Sequence, residues 1–177
     1  GLERLDQEQR RQALESSVAR TFRNGTLTGF EVVEPEGSGE PVSIRYQFVA
    51  PGFARVAGNR LMVSRGLYPA NLSRRYVALA TRQTPLLVGS AERTELEATL
   101  TLPKGMKLLP PPQPQQLSSE YGAYARSEQL EDGRLVLRES VELKLARIPP
   151  QRYPGFVDFV TGIDRVQARE WELAQTP

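Results

Sequence analysis

The chain opens with a helical pattern of apolar residues. Leu14, Val18 and Phe22 recur at every fourth residue in a segment whose other positions are mostly charged or polar. This spacing predicts an amphipathic helix from Leu2 to about Phe22, with one apolar stripe facing a core. Asn24-Gly25 predicts the end of this helix, because both residue types tolerate the left-handed backbone found at helix C-termini.

After residue 25 the period of the hydrophobic pattern changes to two. Gly29–Glu34 predicts a short strand, and Val42–Phe48 alternates apolar and polar residues, which predicts a half-buried strand. Short apolar stretches flank Gly58-Asn59, a sequence typical of a two-residue hairpin turn. Two further strands are predicted at 85–90 and 93–102. The middle of the chain therefore consists mostly of strands.

A short helix and a proline run interrupt the strands. Asn71 is placed to cap a helix that carries Leu72, Tyr76 and Leu79 on one face. Prolines at 110, 111, 112 and 114 cannot donate ladder hydrogen bonds. The segment 110–115 is therefore predicted to be an extended crossing segment and is a candidate subdomain boundary.

The second half contains the clearest hairpin. A strand from Glu120 to Leu130, a turn at 131–133 and a return strand from Arg134 follow one another. Leucines and valines occupy every second position of the return strand, but Glu139 interrupts that apolar face. This interruption suggests either a bulge or an exposed stretch.

A helix and a strand close the chain. Tyr153, Phe156, Phe159 (or Val160) and Ile163 recur at helical spacing, 164–167 is the predicted connection, and 170–173 has the pattern of a terminal strand. Long alternating strands and few helices predict a mainly β fold, an antiparallel β-sandwich with an N-terminal helix and a short helix before the last strand. The predicted division is a helix at 1–24 and a sandwich domain at 25–177.

Composition excludes several kinds of chemistry. The 177 residues contain no cysteine and no histidine, and the net charge is +2. Thiol nucleophiles, disulfides and Ser-His-Asp or Cys-His catalysis are impossible within this chain, and the commonest transition-metal ligands are missing. We therefore expect no enzyme activity and no cofactor. The chain starts at a glycine rather than a methionine, so we expect it to be either a processed form or an excised piece of a larger protein.

Three groups of residues are candidate sites. Glu170 and Glu172 flank Trp171 and share one side of a strand, and a carboxylate pair beside an aromatic ring can hydrolyse or bind sugars. However, acids two residues apart on a strand usually form its solvated face. Asp158 and Asp164 could join a calcium site, although no calcium-loop sequence is present. The arginine groupings are interspersed with acids, so nucleic-acid binding is not expected.

Several stretches together resemble the C-terminal region of bacterial transglutaminase-like proteins. The carrying motifs are Leu102-Pro103-Lys104-Gly105, Tyr121-Gly122 and Tyr153-Pro154-Gly155-Phe156, within a region from about 80 to 173. Those proteins join a β domain of unknown function, a papain-like core and a β-rich tail. The resemblance implies a position downstream of a catalytic Cys, His and Asp that this chain lacks. It also implies a periplasmic or cell-envelope location.

The resulting hypothesis is a non-catalytic accessory module. Its partners would be the catalytic domain of the same polypeptide and a protein or glycan, without nucleic acid or membrane insertion. An independent carbohydrate- or protein-binding module is the alternative. The candidate binding or structural residues are Arg82, which resembles an arginine of that family, and Tyr153, Phe156 and Trp171. The closing helix is expected to cover an edge or open end of the sandwich.

Overall fold

The computed structural model describes residues 5–33 and 43–175, which group into two compact units, Gly1–Arg55 and Val56–Pro177. In these described ranges, no helix has both the length and the apolar character needed to cross a bilayer. The predicted helix start at Leu2 and the predicted strand residues Glu34 and Val42 lie outside the described residues.

The first unit contains helix α1, Gln7–Thr21. The helix begins with reciprocal hydrogen bonds, in which the Gln9 backbone N–H donates to the Asp6 carboxylate over 2.8 Å and the Asp6 N–H donates to the Gln9 side chain. Asn24 has a φ of 60°, which confirms the predicted left-handed stop. Two of the predicted stripe residues, Leu14 and Val18, are buried within the helix.

A hairpin completes the first unit. Strand β1, Thr26–Val33, pairs antiparallel with β2, Ser43–Val49. Its buried core is Leu14, Val18, Phe22 and Leu27. A Cβ atom at Gly25 would lie 2.8 Å from Val18 Cγ1, so a glycine is needed where the chain turns from the helix to the strand. Helix α1 and this hairpin share one core. The predicted domain division after residue 24 stays a prediction.

The second unit is built mainly from strands. They are β3 (Arg55–Ala57), β4 (Arg60–Ser64), β5 (Leu86–Val88), β6 (Glu92–Thr101), β7 (Met106–Leu109), β8 (Gln115–Ser119), β9 (Gly122–Glu131), β10 (Arg134–Leu143), β11 (Ala146–Ile148) and β12 (Glu170–Gln175). Its helices are α2 (Leu72–Tyr76) and α3 (Tyr153–Gln167), the latter preceded by a 3₁₀ turn at Pro150–Arg152.

Two antiparallel four-stranded sheets form the layers of this unit. The front sheet has the order β6-β10-β9-β8 and the back sheet has the order β3-β4-β12-β7, while β5 and β11 form a separate pair. The predicted fold class, a mainly β antiparallel sandwich with few helices, is confirmed. The proline segment joins β7 in the back sheet to β8 in the front sheet, so it crosses between layers as predicted.

The β9–β10 hairpin agrees with its sequence signals except at Glu139. Asp132 and Gly133 both have positive φ, at 47° and 72°, as a two-residue turn between twisted strands requires. Pairing from Arg134 to Leu143 is continuous, and Glu139 lies opposite Arg126. Both suggestions for Glu139, a bulge or an exposed stretch, are wrong, because an ion pair with the facing Arg126 allows the carboxylate to be buried.

Helix α3 packs on the inward face of the front sheet. Phe156 and Ile163 are fully buried, and they share a core with Tyr124, Val141 and further apolar residues of the front sheet and β5. The helix extends to Gln167, so the predicted connection at 164–167 is wrong; Asp164 and Gln167 bond to other elements from its last turn. The sequence predicts that this helix covers an edge or open end of the sandwich. In the structure, its apolar side packs into the core.

Candidate functional site

A cluster of charged side chains lies buried between the two sheets. Tyr124, Arg126 and Glu128 occupy alternate positions of β9, so all three point to the inward face. Glu139 reaches the same layer from the facing position on β10. Arg126 is only 2% exposed and Glu139 is 7% exposed, so their charges are almost entirely withdrawn from water. We call these residues, together with Arg65, Gln167 and Trp171, the buried cluster.

Arg126 is the centre of the buried cluster. Its Nε donates to Glu128 Oε1 over 2.7 Å, and its Nη1 donates to Glu139 Oε2 over 2.7 Å. Its Nη2 donates to the backbone carbonyl of Arg65 over 2.9 Å. The guanidinium also lies 5.3 Å from the ring centre of Trp171, a cation–π distance. All three guanidinium nitrogens are therefore used inside the protein.

Glu128 ties the front sheet to the back sheet. Its Oε2 accepts from Arg65 Nη2 and from the indole Nε1 of Trp171, each over 3.1 Å. Arg65 follows β4 and Trp171 lies on β12, so both donors come from back-sheet strands or their ends. The two arginines and two glutamates of the cluster balance each other in charge, which limits the cost of burying them.

Glu139 ties the front sheet to α3. Its Oε2 also accepts from the Tyr124 hydroxyl over 2.8 Å, and its Oε1 accepts from Gln167 Nε2 over 2.7 Å. The amide oxygen of Gln167 then accepts from the backbone N–H of Ala70 over 2.9 Å. One chain of hydrogen bonds thus runs from β9 through β10 and α3 to the segment before α2.

The burial of the cluster sets its protonation. Burial, followed by the charge of Glu139, raises the pKa of Tyr124 above its usual range. Burial lowers the pKa of Arg65, whereas for Arg126 the opposing hydrogen bonds and charges outweigh burial and raise the pKa. The phenol is therefore neutral and the guanidiniums are charged near pH 7. None of these three groups exchanges a proton readily at neutral pH, as a general acid or base must.

Three of the sequence-predicted site residues lie in the interior. Phe156 is fully buried, Trp171 belongs to the buried cluster, and the Tyr153 hydroxyl donates to the Leu79 carbonyl over 2.7 Å. The guanidinium of Arg82 lies 5.5 Å from the Tyr153 ring centre. Arg82 Nε is buried and has no hydrogen-bond partner within the described ranges. The structure thus brings Arg82 and Tyr153 together, in contact with the core rather than around an open cleft.

The acidic candidates do not converge on a site. Glu170 and Glu172 share the outward side of β12, and Glu172 forms an ion pair with Arg60. Asp158 is exposed, while Asp164 accepts from the backbone N–H groups of Leu72 and Ser73 over 2.9 and 2.8 Å. Across residues 5–33 and 43–175, no group of three or more acidic side chains is arranged to hold a metal ion.

Asp164 replaces the residue that was predicted to cap α2. Asn71 has a left-handed φ of 51°, and its side chain donates to the Pro69 carbonyl instead of accepting from the helix N-terminus. The carboxylate of Asp164 satisfies those backbone donors from a position more than ninety residues later in the chain. Sequence spacing around α2 could not reveal a cap that comes from α3.

The depressions on the second unit include a polar trough and an apolar cleft. A polar trough of about 550 Å³ runs over the outward face of the front sheet, with Ser127 and Ser140 among the small residues at its floor and Glu97 and Arg138 beside them. A cleft of about 350 Å³ lies on the inward side, beside β6, and is lined mostly by apolar side chains. The trough is the larger of these two depressions.

The sequence patterns missed the buried cluster. The only signal was the placement of charge at inward positions, namely Arg126 and Glu128 on one strand and Glu139 on the other. A register could have paired Arg126 with Glu139, but nothing in the local sequence indicates the third and fourth partners from the back sheet.

Residues 59–173 match the sequence pattern of a family described as a domain of unknown function with solved structure, DUF3858. The matched residues cover well over half of the chain. The chain therefore belongs to the DUF3858 family. The match falls within the second compact unit and covers α2, α3, the buried cluster and the two sheets apart from β3 and the last two residues of β12.

The fold of the DUF3858 domain also occurs in a solved structure. The crystal structure of a putative protease from Parabacteroides distasonis aligns with 88% of this chain at a TM-score of 0.51 and 18% sequence identity. At this identity the likeness shows the fold alone. This chain covers 24% of the Parabacteroides protein, so it spans about a quarter of that protein's length. No curated protein matches the sequence of this chain.

Proposed function

We propose that this chain is a non-catalytic accessory module of a transglutaminase-like bacterial envelope protein. In this proposal, the module supports the catalytic domain of the same polypeptide and offers a docking surface to a protein or glycan. The link to a transglutaminase-like core and the envelope location come from the sequence resemblance in residues 80–173. The small share of the Parabacteroides protein that the chain covers is compatible with a module of a longer polypeptide.

One observation carries the proposal: the ionisable groups buried between the sheets bond to one another. Glu128 accepts hydrogen bonds from Arg126 and Arg65, and Glu139 accepts one from Arg126. Each carboxylate of the buried cluster therefore has a donor. A catalytic carboxylate must be able to reach a substrate. A buried carboxylate that already accepts hydrogen bonds from other side chains stabilises the fold instead. The buried cluster therefore supports a structural role, rather than a catalytic one, for the layer between the two sheets.

The test uses the full-length parent protein and a form that lacks this module. We expect removal to lower the melting temperature of the remaining polypeptide and to reduce its turnover, because an intramolecular interface is lost. The isolated chain is expected to show no hydrolase or acyl-transfer turnover. Turnover by the isolated chain, or a remaining polypeptide whose stability and activity are unchanged, would contradict the proposal.

The alternative is an independent binding module with no linked enzyme, and the outward trough favours it. Its walls carry carboxylate, guanidinium and amide groups from Glu97, Arg138 and Gln116, which can all hydrogen-bond to a polar ligand. A glycan array and a pull-down with the isolated chain test this function. Ligand capture that is lost in a Ser140→Trp variant, whose indole would fill the trough, would support it over the accessory role.

A further inference from the structure

Strand β6 is a free edge of the front sheet. The order β6-β10-β9-β8 places it at one end, and in the described ranges no strand pairs with its other side. All ten residues of β6 pair with β10 without a register shift. An edge of this kind presents a row of backbone N–H and C=O groups that are complementary to another strand.

The usual protections of an edge strand are missing from most of β6. The strand is longer than the typical five or six residues, contains no proline and has no bulge. Its inward positions at 96, 98 and 100 are Leu, Ala and Leu, and the inward-pointing charge of β6, Glu92, forms an ion pair with Arg75 of α2. The other charged residues, Arg93, Glu95 and Glu97, lie on the outward face, where they do not obstruct an added strand.

The charges on that outward face are complementary between two antiparallel copies of the strand. Consider two β6 strands paired antiparallel about Thr94, with the outward faces of both copies on the same side. Arg93 of each copy then lies opposite Glu95 of the other, and Thr94 lies opposite Thr94. Among the centres within β6 in this arrangement, Thr94 is the one that sets opposite charges against each other without also opposing like charges, whereas pairing about Ala98 sets no two charged residues opposite each other. Pairing about Glu95 or Glu97 sets identical carboxylates opposite each other, and pairing about Leu96 sets Glu95 opposite Glu97.

The contact that Arg93 makes within one copy does not prevent this exchange. Arg93 Nη2 lies 2.5 Å from Glu95 Oε1, but the two side chains are 66% and 64% exposed. An exposed pair of this kind contributes at most about 1 kcal/mol. Residues directly opposite on paired strands are closer, at about 4.5–5.5 Å between Cβ atoms, than residues two apart along one strand, at about 6.6–6.8 Å.

We propose that β6 is a homodimerisation edge, at which two copies pair antiparallel about Thr94 through reciprocal Arg93–Glu95 contacts. The occupant of the edge is thus a second copy of this chain. Within β6, residues 92–96 of the two copies pair, with Glu92 of each copy opposite Leu96 of the other. The two front sheets become one eight-stranded sheet with the order β8-β9-β10-β6-β6-β10-β9-β8. This inference does not depend on the proposed accessory function, because it uses only the edge and its charges.

Sedimentation velocity of the chain, over concentrations from micromolar to several hundred micromolar, tests the proposal. We expect a reversible dimer. Arg93→Glu and Glu95→Arg each create two like-charge pairs and should weaken dimerisation by about tenfold or more, whereas the double variant R93E/E95R should restore it. The matched control R138E/E97R exchanges an exposed pair of the same face outside the central contact and should leave dimerisation nearly unchanged.

Several results would overturn the proposal. They are a monomer at every concentration, a dimer that neither single variant weakens, or single-variant losses that the double variant does not restore. Circular dichroism of each variant checks that it is folded. Amide hydrogen exchange gives an independent measurement: β6 amides should gain protection as the concentration of the chain rises. Protection that appears elsewhere, with β6 unchanged, would place the contact on another surface.

Discussion

The two faces of the β9–β10 hairpin use the same pair of residue types in opposite surroundings. On the inward face, the Arg126 and Glu139 side chains are 1% and 5% exposed and their atoms approach to 2.7 Å. On the outward face, Arg138 pairs with Glu97 of β6 at 3.2 Å, and these side chains are 59% and 66% exposed. Burial, more than residue type or distance, decides how much each pair matters, because water screens the outward charges and not the inward ones.

The largest effect is expected from Arg126→Met. This change removes the cation but leaves Glu128 and Glu139 buried, so the free energy of unfolding should fall by about 3–5 kcal/mol. Urea denaturation measures the change. A loss below about 1 kcal/mol would mean that the buried pair behaves like an exposed one.

A double-mutant cycle sharpens the same comparison. Glu139→Leu combined with Arg126→Met removes both members of the pair and leaves Arg65 with Glu128. We expect the double variant to lose less stability than the two single variants together, by a coupling free energy of about 0.5–3 kcal/mol. Strict additivity would show that the two residues act independently.

Asp164→Ala is expected to have an intermediate effect. The backbone donors of Leu72 and Ser73 lose their acceptor, which should cost about 0.5–2 kcal/mol of unfolding free energy. Asp158→Ala on the exposed side of the same helix is the matched control and should change little. Added calcium should stabilise neither the unsubstituted chain nor the control variant. Stabilisation by calcium that depends on both aspartates would support a calcium site at Asp158 and Asp164.

Tyr124→Phe should give a smaller effect that depends on pH. The lost bond to Glu139 costs about 1 kcal/mol near pH 7. The folded-state pKa of Tyr124 is raised above the usual 10.0. The folded state therefore favours the protonated phenol, and this contribution is complete below pH 10.0 and is lost as the pH rises toward the folded-state pKa. Denaturation between pH 7 and pH 11 should show a shallower alkaline decline in the variant; identical slopes would contradict this.

Arg138→Met should have the smallest effect. Its partner Glu97 remains solvated when the arginine is removed, so the change in unfolding free energy should stay below about 1 kcal/mol. The same denaturation measurement applies. A loss as large as that of Arg126→Met would remove the distinction between the two faces.

The sequence predicts features that depend on local signals. The Asp132-Gly133 turn specifies its hairpin, because two consecutive positive φ angles require such residues. The apolar spacing of Tyr153, Phe156 and Ile163 specifies the buried side of α3. In each case the information lies within a few residues of the element that it determines.

The buried cluster depends on partners that are distant in sequence. Alternation places Glu139 on the inward face, but a carboxylate there is acceptable only because Arg126 and Gln167 face it. Strand periodicity does not say which sheet covers that face. For the same reason, the sequence marks Trp171 as a candidate residue but gives no sign of its hydrogen bond to Glu128.

The cap that Asp164 provides has a consequence for the order of assembly. Helix α2 has five residues, too few to be stable as an isolated helix in water. The protein acceptor of its first backbone donors is in place only when α3 is docked, and Gln167 accepts from the backbone N–H of Ala70, two residues before the helix. We therefore expect the segment 70–76 to become helical late in folding, because the residues that fix it belong to a part of the chain that is synthesised much later.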